Sequence, residues 1–382
     1  MRPNKARRRR LAARRRALTA RRASARRLLS SHQLRASLRL NVHPSPWMGC
    51  VAGLQAALAL FLAILLIRHS QWPHLVGFGA LGALAALFGR FAPLLKRHGV
   101  VWICAAMLTA AVLLTSLTSR LGAPAFMVVL VVAFIAGATT VAFNYWRLGG
   151  PGAVIIVFAA GAAMTPVESW AVVTERTLAT ATGGVAAWLV TSATDFLRLR
   201  ELARSAPPNE PHRPFSHLLL AGFRIGIGAF AAALIAHAAG WNHPSWAAIG
   251  ATAVMQGAHL HITMHRALQR MAGTMVGALL VWLILSMEPP FWAIVAAVVA
   301  FQFITEVIIG YNYALGQITI TPMALLMTYL AAPVAVATEM SIERVFDTML
   351  GAVIGIVLAV VFSTLDDRRH LARLDRKQRL ER

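Results

Sequence analysis

Two stretches of this chain, 168 residues apart, begin alike. One runs Glu175-Arg176-Thr177-Leu178-Ala179-Thr180-Ala181-Thr182-Gly183, the other Glu343-Arg344-Val345-Phe346-Asp347-Thr348-Met349-Leu350-Gly351. Glu, Arg, Thr and Gly coincide, and each stretch opens a long apolar run. A charged pair entering a membrane-length helix, and occurring twice, implies a duplicated membrane protein with a charge to handle at that depth. Other matches keep nearly the same offset: Ala52-Gly53-Leu54 with Ala221-Gly222-Phe223, Trp72 with Trp241, and Asn144-Tyr145 with Asn312-Tyr313. Single matches are cheap in Ala- and Leu-rich sequence, but a near-constant offset at four places points to duplication.

Only 13% of the residues are charged and 58% are hydrophobic, against roughly 25% charge in an average soluble domain. Apolar runs of about 20 residues recur along the chain. They fall near 48–67, 75–91, 100–117, 125–146, 151–166 and 170–194, then 218–237, 245–259, 271–287, 291–309, 315–335 and 342–364. They are continuous rather than alternating, which argues against a β-barrel. The expected fold is all-α, a polytopic transmembrane helical bundle of about 12 spans in two six-helix repeats. An even number of spans per half makes the repeats parallel. The expected domains are a basic cytoplasmic arm (1–47), a first repeat (48–195), a cytoplasmic linker (196–215), a second repeat (216–365) and a cytoplasmic tail (366–382). The eighth run, diluted by Gln256 and His259, and the eleventh, interrupted by Pro322 and Pro333, are the least regular.

The net charge of +23 is a matter of topology. Fifteen of the 37 Lys/Arg lie in residues 1–40, seven more lie from Arg368 onward, and no acid precedes Glu168. With a cytoplasmic N-terminus and twelve spans, 32 Lys/Arg fall on the cytoplasmic side. Four, Arg68, Arg120, Arg176 and Arg344, fall opposite, and Arg224 is left inside a span. This is a positive-inside pattern with both termini cytoplasmic. The arm therefore reads as a lipid and topology signal in contact with the bilayer, not as a specific nucleic-acid site. The first apolar run begins near Met48, so no cleavable signal peptide is expected. Two cysteines give no disulfide framework.

Several polar residues stand out against this background. Arg176 and Arg344, behind Glu175 and Glu343, sit at the outer mouths of the sixth and twelfth runs. Three readings stay open for them, anion attraction, interfacial anchoring and structural pairing between helices. Arg224 lies inside the seventh run where the 169 offset places Gln55, so one half has a charge and the other an amide. It is either an anion ligand or a snorkelling side chain. Glu306, one turn from Gln302, corresponds to Ala138 and is either a proton carrier or a structural hydrogen-bonding group. Glu339, Glu343 and Asp347 are spaced to share a helix face and an exchangeable proton. His243, Gln256, His259, His261 and His265 gather around the eighth run. With no Cys or carboxylate nearby they read as satisfied polar groups rather than a metal site. Gly273/Gly277 and Gly351/Gly355 are close-packing patterns. No P-loop, dinucleotide fingerprint or nucleophile–base pair occurs, so no cofactor and no enzyme activity are expected.

The second half also carries a recognisable pattern. Pro244-Ser245-Trp246 opens one run, and His265-Arg266-Ala267-Leu268-Gln269-Arg270-Met271-Ala272-Gly273-Thr274-Met275-Val276-Gly277-Ala278 opens the next. This resembles the fusaric acid resistance protein-like family, which includes aromatic carboxylic acid efflux proteins. The resemblance implies a bacterial inner-membrane protein and makes Arg266, Arg270, Gly273, Thr274 and Gly277 the signature residues. Some members work with a periplasmic adaptor protein, so an adaptor and a homodimer both stay open as partners. Many members insert a large cytoplasmic domain where this chain has a linker of about 20 residues. The expected function is proton-coupled efflux of a small organic, aromatic carboxylic anion. Arg224, Arg266, Arg270, Thr274, Arg176 and Arg344 would bind substrate, and Glu306, Asp347 and Glu343 would carry protons. A passive anion channel of the kind found in plant malate channels, and an envelope scaffold, are the alternatives.

Overall fold

The computed structural model describes residues 37, 40, 45–198, 214–257, 260–331 and 337–363. Most of the basic arm, the linker over 199–213, His259, Pro333, the Glu339 side chain and the tail lie outside the described residues. Among the described residues every regular element is helical. The α-helices are α1 (Pro46–Arg68), α2 (Val76–Ala83), α3 (Leu94–Arg120), α4 (Ala125–Trp146), α5 (Ala153–Ala162) and α6 (Trp170–Thr194). They continue with α7 (Phe215–Ala238), α8 (Pro244–Met255), α9 (Leu260–Leu285), α10 (Phe291–Ile308), α11 (Tyr313–Ala331) and α12 (Ala337–Val361). Short 3₁₀ turns, Pro73–Leu75 and Leu84–Leu87, flank α2, and Asp195–Arg198 follows α6. The helix starts follow from local chemistry. The Ser45 hydroxyl accepts from the Met48 amide with Pro46 in the first turn, and Ser169 accepts from Val172. Prolines precede or open α4, α7, α8 and α10, where a missing N–H costs nothing.

Among the described residues seven helices, α1, α3, α4, α7, α9, α10 and α12, are long and apolar enough to cross a bilayer. The protein is thus a multi-pass helical membrane protein, and these seven are fewer than the twelve expected spans. α2, α5 and α8 have 8, 10 and 12 residues. At 1.5 Å per residue they reach about 12 to 18 Å, against a hydrocarbon core of about 30 Å. Their apolar runs have another cause. Every residue of α2 and all of α8 except Pro244 are buried. A helix enclosed by protein on all sides is apolar all round without touching lipid.

Packing repeats between the halves. α1–α2, α1–α6, α2–α6, α3–α5, α3–α6 and α4–α5 all touch, and so do α7–α8, α7–α12, α8–α12, α9–α11, α9–α12 and α10–α11. The contacts between halves pair in the same way: α4 with α7 and α10 with α1, α5 with α8 and α11 with α2. The offset also holds at the level of atoms. A β-carbon on Gly183 would run into the Gly79 carbonyl, and one on Gly351 into the Ala247 carbonyl. Member by member, the second contact lies 168 residues after the first. The short helices α2, α5 and α8 together with α11 lie where the two sets of six meet, ringed by the longer ones. One apolar core runs through both sets, from Ala56 to Met340.

Candidate functional site

A cavity of about 520 Å³ lies among α5, α8, α9, α11 and α12. α9 contributes Ile262, His265, Arg266, Gln269 and Arg270, whose spacing of three and four puts them on one helical face. α5 adds Val154, Ile155 and Phe158, α8 adds Ile249 and Ala253, α11 adds Tyr313, Gln317, Ile320 and Met323, and α12 adds Arg344. The walls are mainly apolar, and the strong polar groups are three arginines.

Two of those arginines are deeply buried. Arg270 and Arg344 are each 2% exposed. Arg270 Nη1 donates to the Tyr313 hydroxyl at 3.2 Å. Arg344 lies over the Trp246 ring, 5.0 Å from its centroid, and its Nε and Nη1 make no hydrogen bond. Arg270, Asp347 and Tyr313 are the ionisable groups that surround it electrostatically. Behind Trp246 the His243 ring stacks at 4.1 Å with an interplanar angle of 7°. Glu343 holds that histidine in place. Its carboxylate accepts from the His243 amide at 3.0 Å and pairs with His243 Nδ1 at 2.7 Å, and it also accepts from the Asn242 amide. Glu343, His243, Trp246 and Arg344 therefore form one closed layer at the α12 N-terminal end of the cavity.

The opposite end is set by Gln256. With its amide oxygen turned to the start of α5, it accepts from the Ala153 and Val154 amides at 3.0 Å each, and its nitrogen donates to the Pro151 carbonyl at 3.1 Å. It caps a helix whose own N-cap, Gly152, has no side chain and sits at φ 86°. The Ser37 carbonyl accepts from Gln269 at 2.6 Å and Asn312 at 3.2 Å, so this residue of the arm lies beside the cavity.

The other expected site residues lie elsewhere. Thr274 is one turn beyond Arg270 on α9, buried, with an unbonded hydroxyl, but it does not line the cavity. The glycines of its signature serve packing: a β-carbon on Gly273 would come within 2.5 Å of the Ala314 carbonyl, and one on Gly277 within 2.7 Å of Thr321. Arg224 is half-buried on α7 between Gly222 and Gly226, outside the cavity lining. Both glycines meet Gly137 of α4. Arg176 lies 5.3 Å from the Phe78 centroid and donates to the Thr165 and Pro166 carbonyls at 3.2 and 3.4 Å. Glu306 pairs with Arg90 at 3.4 Å, and Arg90 Nη2 also donates to its carbonyl at 3.2 Å, tying the two sets of helices together. Burial lowers the Arg90 pKa from its ordinary value, and Glu306 opposes the shift. Asp347 is completely buried, and neither carboxylate oxygen has a hydrogen-bond partner.

At the matching offsets the first set of helices has no such cavity chemistry. Phe88 stands for Gln256 and Val101 for Arg270, both buried. Phe88 stacks on Phe143 at 5.1 Å. Arg97, matching Arg266, donates to Asp195 and, at 2.7 Å, to Gln55. Arg198 shares Asp195 at 3.1 Å and donates to the Arg90 and Ala92 carbonyls at 2.6 and 2.9 Å. Asp195 corresponds to Ser363 or Thr364, so the second half has no acid there. Sequence reasoning missed Tyr313, Gln317, Trp246 and α5 as parts of the site. The Trp246–Phe78 match at the same 168 offset as Arg344–Arg176 was the available signal.

The family of fusaric acid resistance protein-like proteins matches residues 230–358, from α7 into α12. That segment contains Trp246, Arg266, Arg270 and Arg344 and excludes Arg224. The uncharacterized membrane protein YvaC of Bacillus subtilis (strain 168) is 37% identical over 142 residues, 37% of this chain and 22% of that relative. The match thus spans about a fifth of the relative's length. No solved structure matches. The cavity's three arginines lie within the segment, residues 230–358, that is similar to the fusaric acid resistance protein-like family.

Proposed function

We propose that the protein transports organic anions, aromatic carboxylates foremost, out of the cytoplasm across a bacterial inner membrane, through the cavity among α5, α8, α9, α11 and α12. The observation behind this reading is the convergence of buried Arg270 and Arg344 on an apolar-walled cavity of about 520 Å³. A buried guanidinium demands an anionic partner, and apolar walls favour a hydrophobic body behind that anion. The volume is within the roughly 300–1,000 Å³ usual for small-molecule sites. Arg266 draws the anion in and Arg270 and Arg344 hold it. Phe158 and Tyr313 supply aromatic surface, and Trp246 backs Arg344. The word resistance in the family description agrees with removal of an unwanted compound. The repeated packing supports two halves descended from one six-helix unit, with the first as frame and the second as site. The Lys/Arg bias of the sequence supports both termini in the cytoplasm, which takes an even number of crossings. A buried carboxylate, Glu306, Glu343 or Asp347, couples a proton to the movement.

Efflux of radiolabelled benzoate from vesicles containing the full chain, corrected for protein-free vesicles, tests this. Arg270→Gln and Arg344→Gln should each lower the protein-dependent rate at least about tenfold, the scale of a lost charge-assisted hydrogen bond. Arg176→Gln should change it little. Unaltered flux in both cavity variants would reject the site. Flux that follows voltage and ignores pH would favour a passive anion channel.

A further inference from the structure

We propose that Asp347 is an internal counter-ion that competes with the substrate anion for Arg344, so that one proton moves with each anion in the same direction. This rests on the anion-transport reading above.

Three features of the structure support it. Arg344 and Asp347 are three residues apart on α12, within reach of each other on one helix. They make no ion pair here: Arg344 Nε and Nη1 and both Asp347 oxygens have no hydrogen-bond partner. Two other acids of the second half are engaged, Glu343 with His243 and Asn242 and Glu306 with Arg90. At the 168 offset, Arg344 matches Arg176 and Asp347 matches Ala179. Where the arginine is satisfied by the Thr165 and Pro166 carbonyls, no acid accompanies it. Where the arginine is buried at a cavity, an acid does.

The surroundings leave Asp347 few alternatives. The groups acting electrostatically on the pair are Arg270 from α9, Tyr313 from α11 and Glu343 from α12. α7 and α8 meet α12 through Ala232, Ala236, Ala247 and Ala251. An ionised carboxylate buried with no hydrogen-bond partner must find a cation or take up a proton. When no anion is bound, the ionised Asp347 turns to pair with Arg344, a contact that the present geometry leaves unmade. An arriving anion takes Arg344, and Asp347 accepts a proton on one carboxylate oxygen. The site gains one anion and one proton, so its net charge is unchanged. The anion therefore crosses the membrane without net charge, and its outward flow follows its own gradient combined with that of the proton.

Proton uptake on benzoate binding tests this with the solubilised full chain in weakly buffered solution between pH 6 and 9, where benzoate itself is ionised. The expected result is close to one proton taken up per benzoate bound. On the alkaline side the apparent affinity should fall about tenfold per pH unit. In Asp347→Asn and in Asp347→Ala, which copies Ala179, benzoate should still bind, without proton uptake and without the pH dependence. No uptake by the wild-type protein, or undiminished uptake by both variants, overturns the proposal. Should neither variant fold, the wild-type stoichiometry alone decides. Absence of benzoate binding by the wild-type protein rejects the anion-transport reading itself, a separate result from binding without protons.

Discussion

Arg344 lies over the ring of Trp246 at 5.0 Å, and 168 residues earlier Arg176 lies over Phe78 at 5.3 Å. The same cation–aromatic pair thus occupies the same place twice, with different neighbours. Trp246 is 4% exposed, carries Arg344 on one face and stacks with His243. Truncating it to alanine should cost about 3–5 kcal/mol. Trp246→Phe, the residue found at the matching position, should cost much less. Thermal unfolding of the purified protein in detergent measures both, and equal losses would contradict a specific role for the ring.

Two arginine clusters should respond differently to loss of charge. Asp195, 5% exposed, holds both Arg97 and Arg198, each 1% exposed. Asp195→Asn leaves two buried guanidinium groups uncompensated and should cost about 3–5 kcal/mol. Arg344 has no ion pair among the described residues and Asp347 can take up a proton when the arginine is removed, so Arg344→Gln should change stability by less than about 1 kcal/mol while lowering benzoate flux at least about tenfold. The comparison is read from unfolding midpoints of the two variants. Parallel destabilisation would mean that Arg344 is structural.

Glycine spacing gives an internally controlled prediction. A β-carbon on Gly183 has backbone in its way, whereas one on Gly99 meets nothing within 4 Å. Gly183→Ala should cost at least about 1–3 kcal/mol by forcing α2 and α6 apart. Gly99→Ala, in an exposed part of α3's first turns, should be neutral or slightly favourable. Yield of folded protein after membrane extraction separates the two.

Gln256 should control α5 specifically. Gln256→Ala removes the acceptor for two amides at the helix start and should cost about 0.5–2 kcal/mol. Hydrogen exchange should accelerate at Ala153 and Val154 and leave α10 unaffected.

Much of this was legible in the sequence. The 168 offset marked the helix pairs that pack alike and, in the repeated Glu-Arg stretch, Arg344, while the family resemblance marked Arg266 and Arg270. The lengths of α2, α5 and α8 were not legible, because hydropathy reads the same for a helix enclosed by lipid and one enclosed by protein. Arg224 stood out through its mismatch with Gln55, but that mismatch does not place it at the cavity. Gln55 belongs to the Arg97 network and Arg224 lies near the α4–α7 crossing. Tyr313 was visible only as a repeat of Tyr145. Its hydrogen bond to Arg270 spans 43 positions of sequence, and no local pattern encodes such a contact.

The central helices have a mechanical consequence. α5 has ten residues, about 15 Å, or half the bilayer's hydrocarbon depth. A gate made of so short a rod needs only a short stroke. A slip of one helical turn, about 5.4 Å, would carry it past a third of its own length. The long outer helices can then stay fixed in the lipid while access changes at the centre.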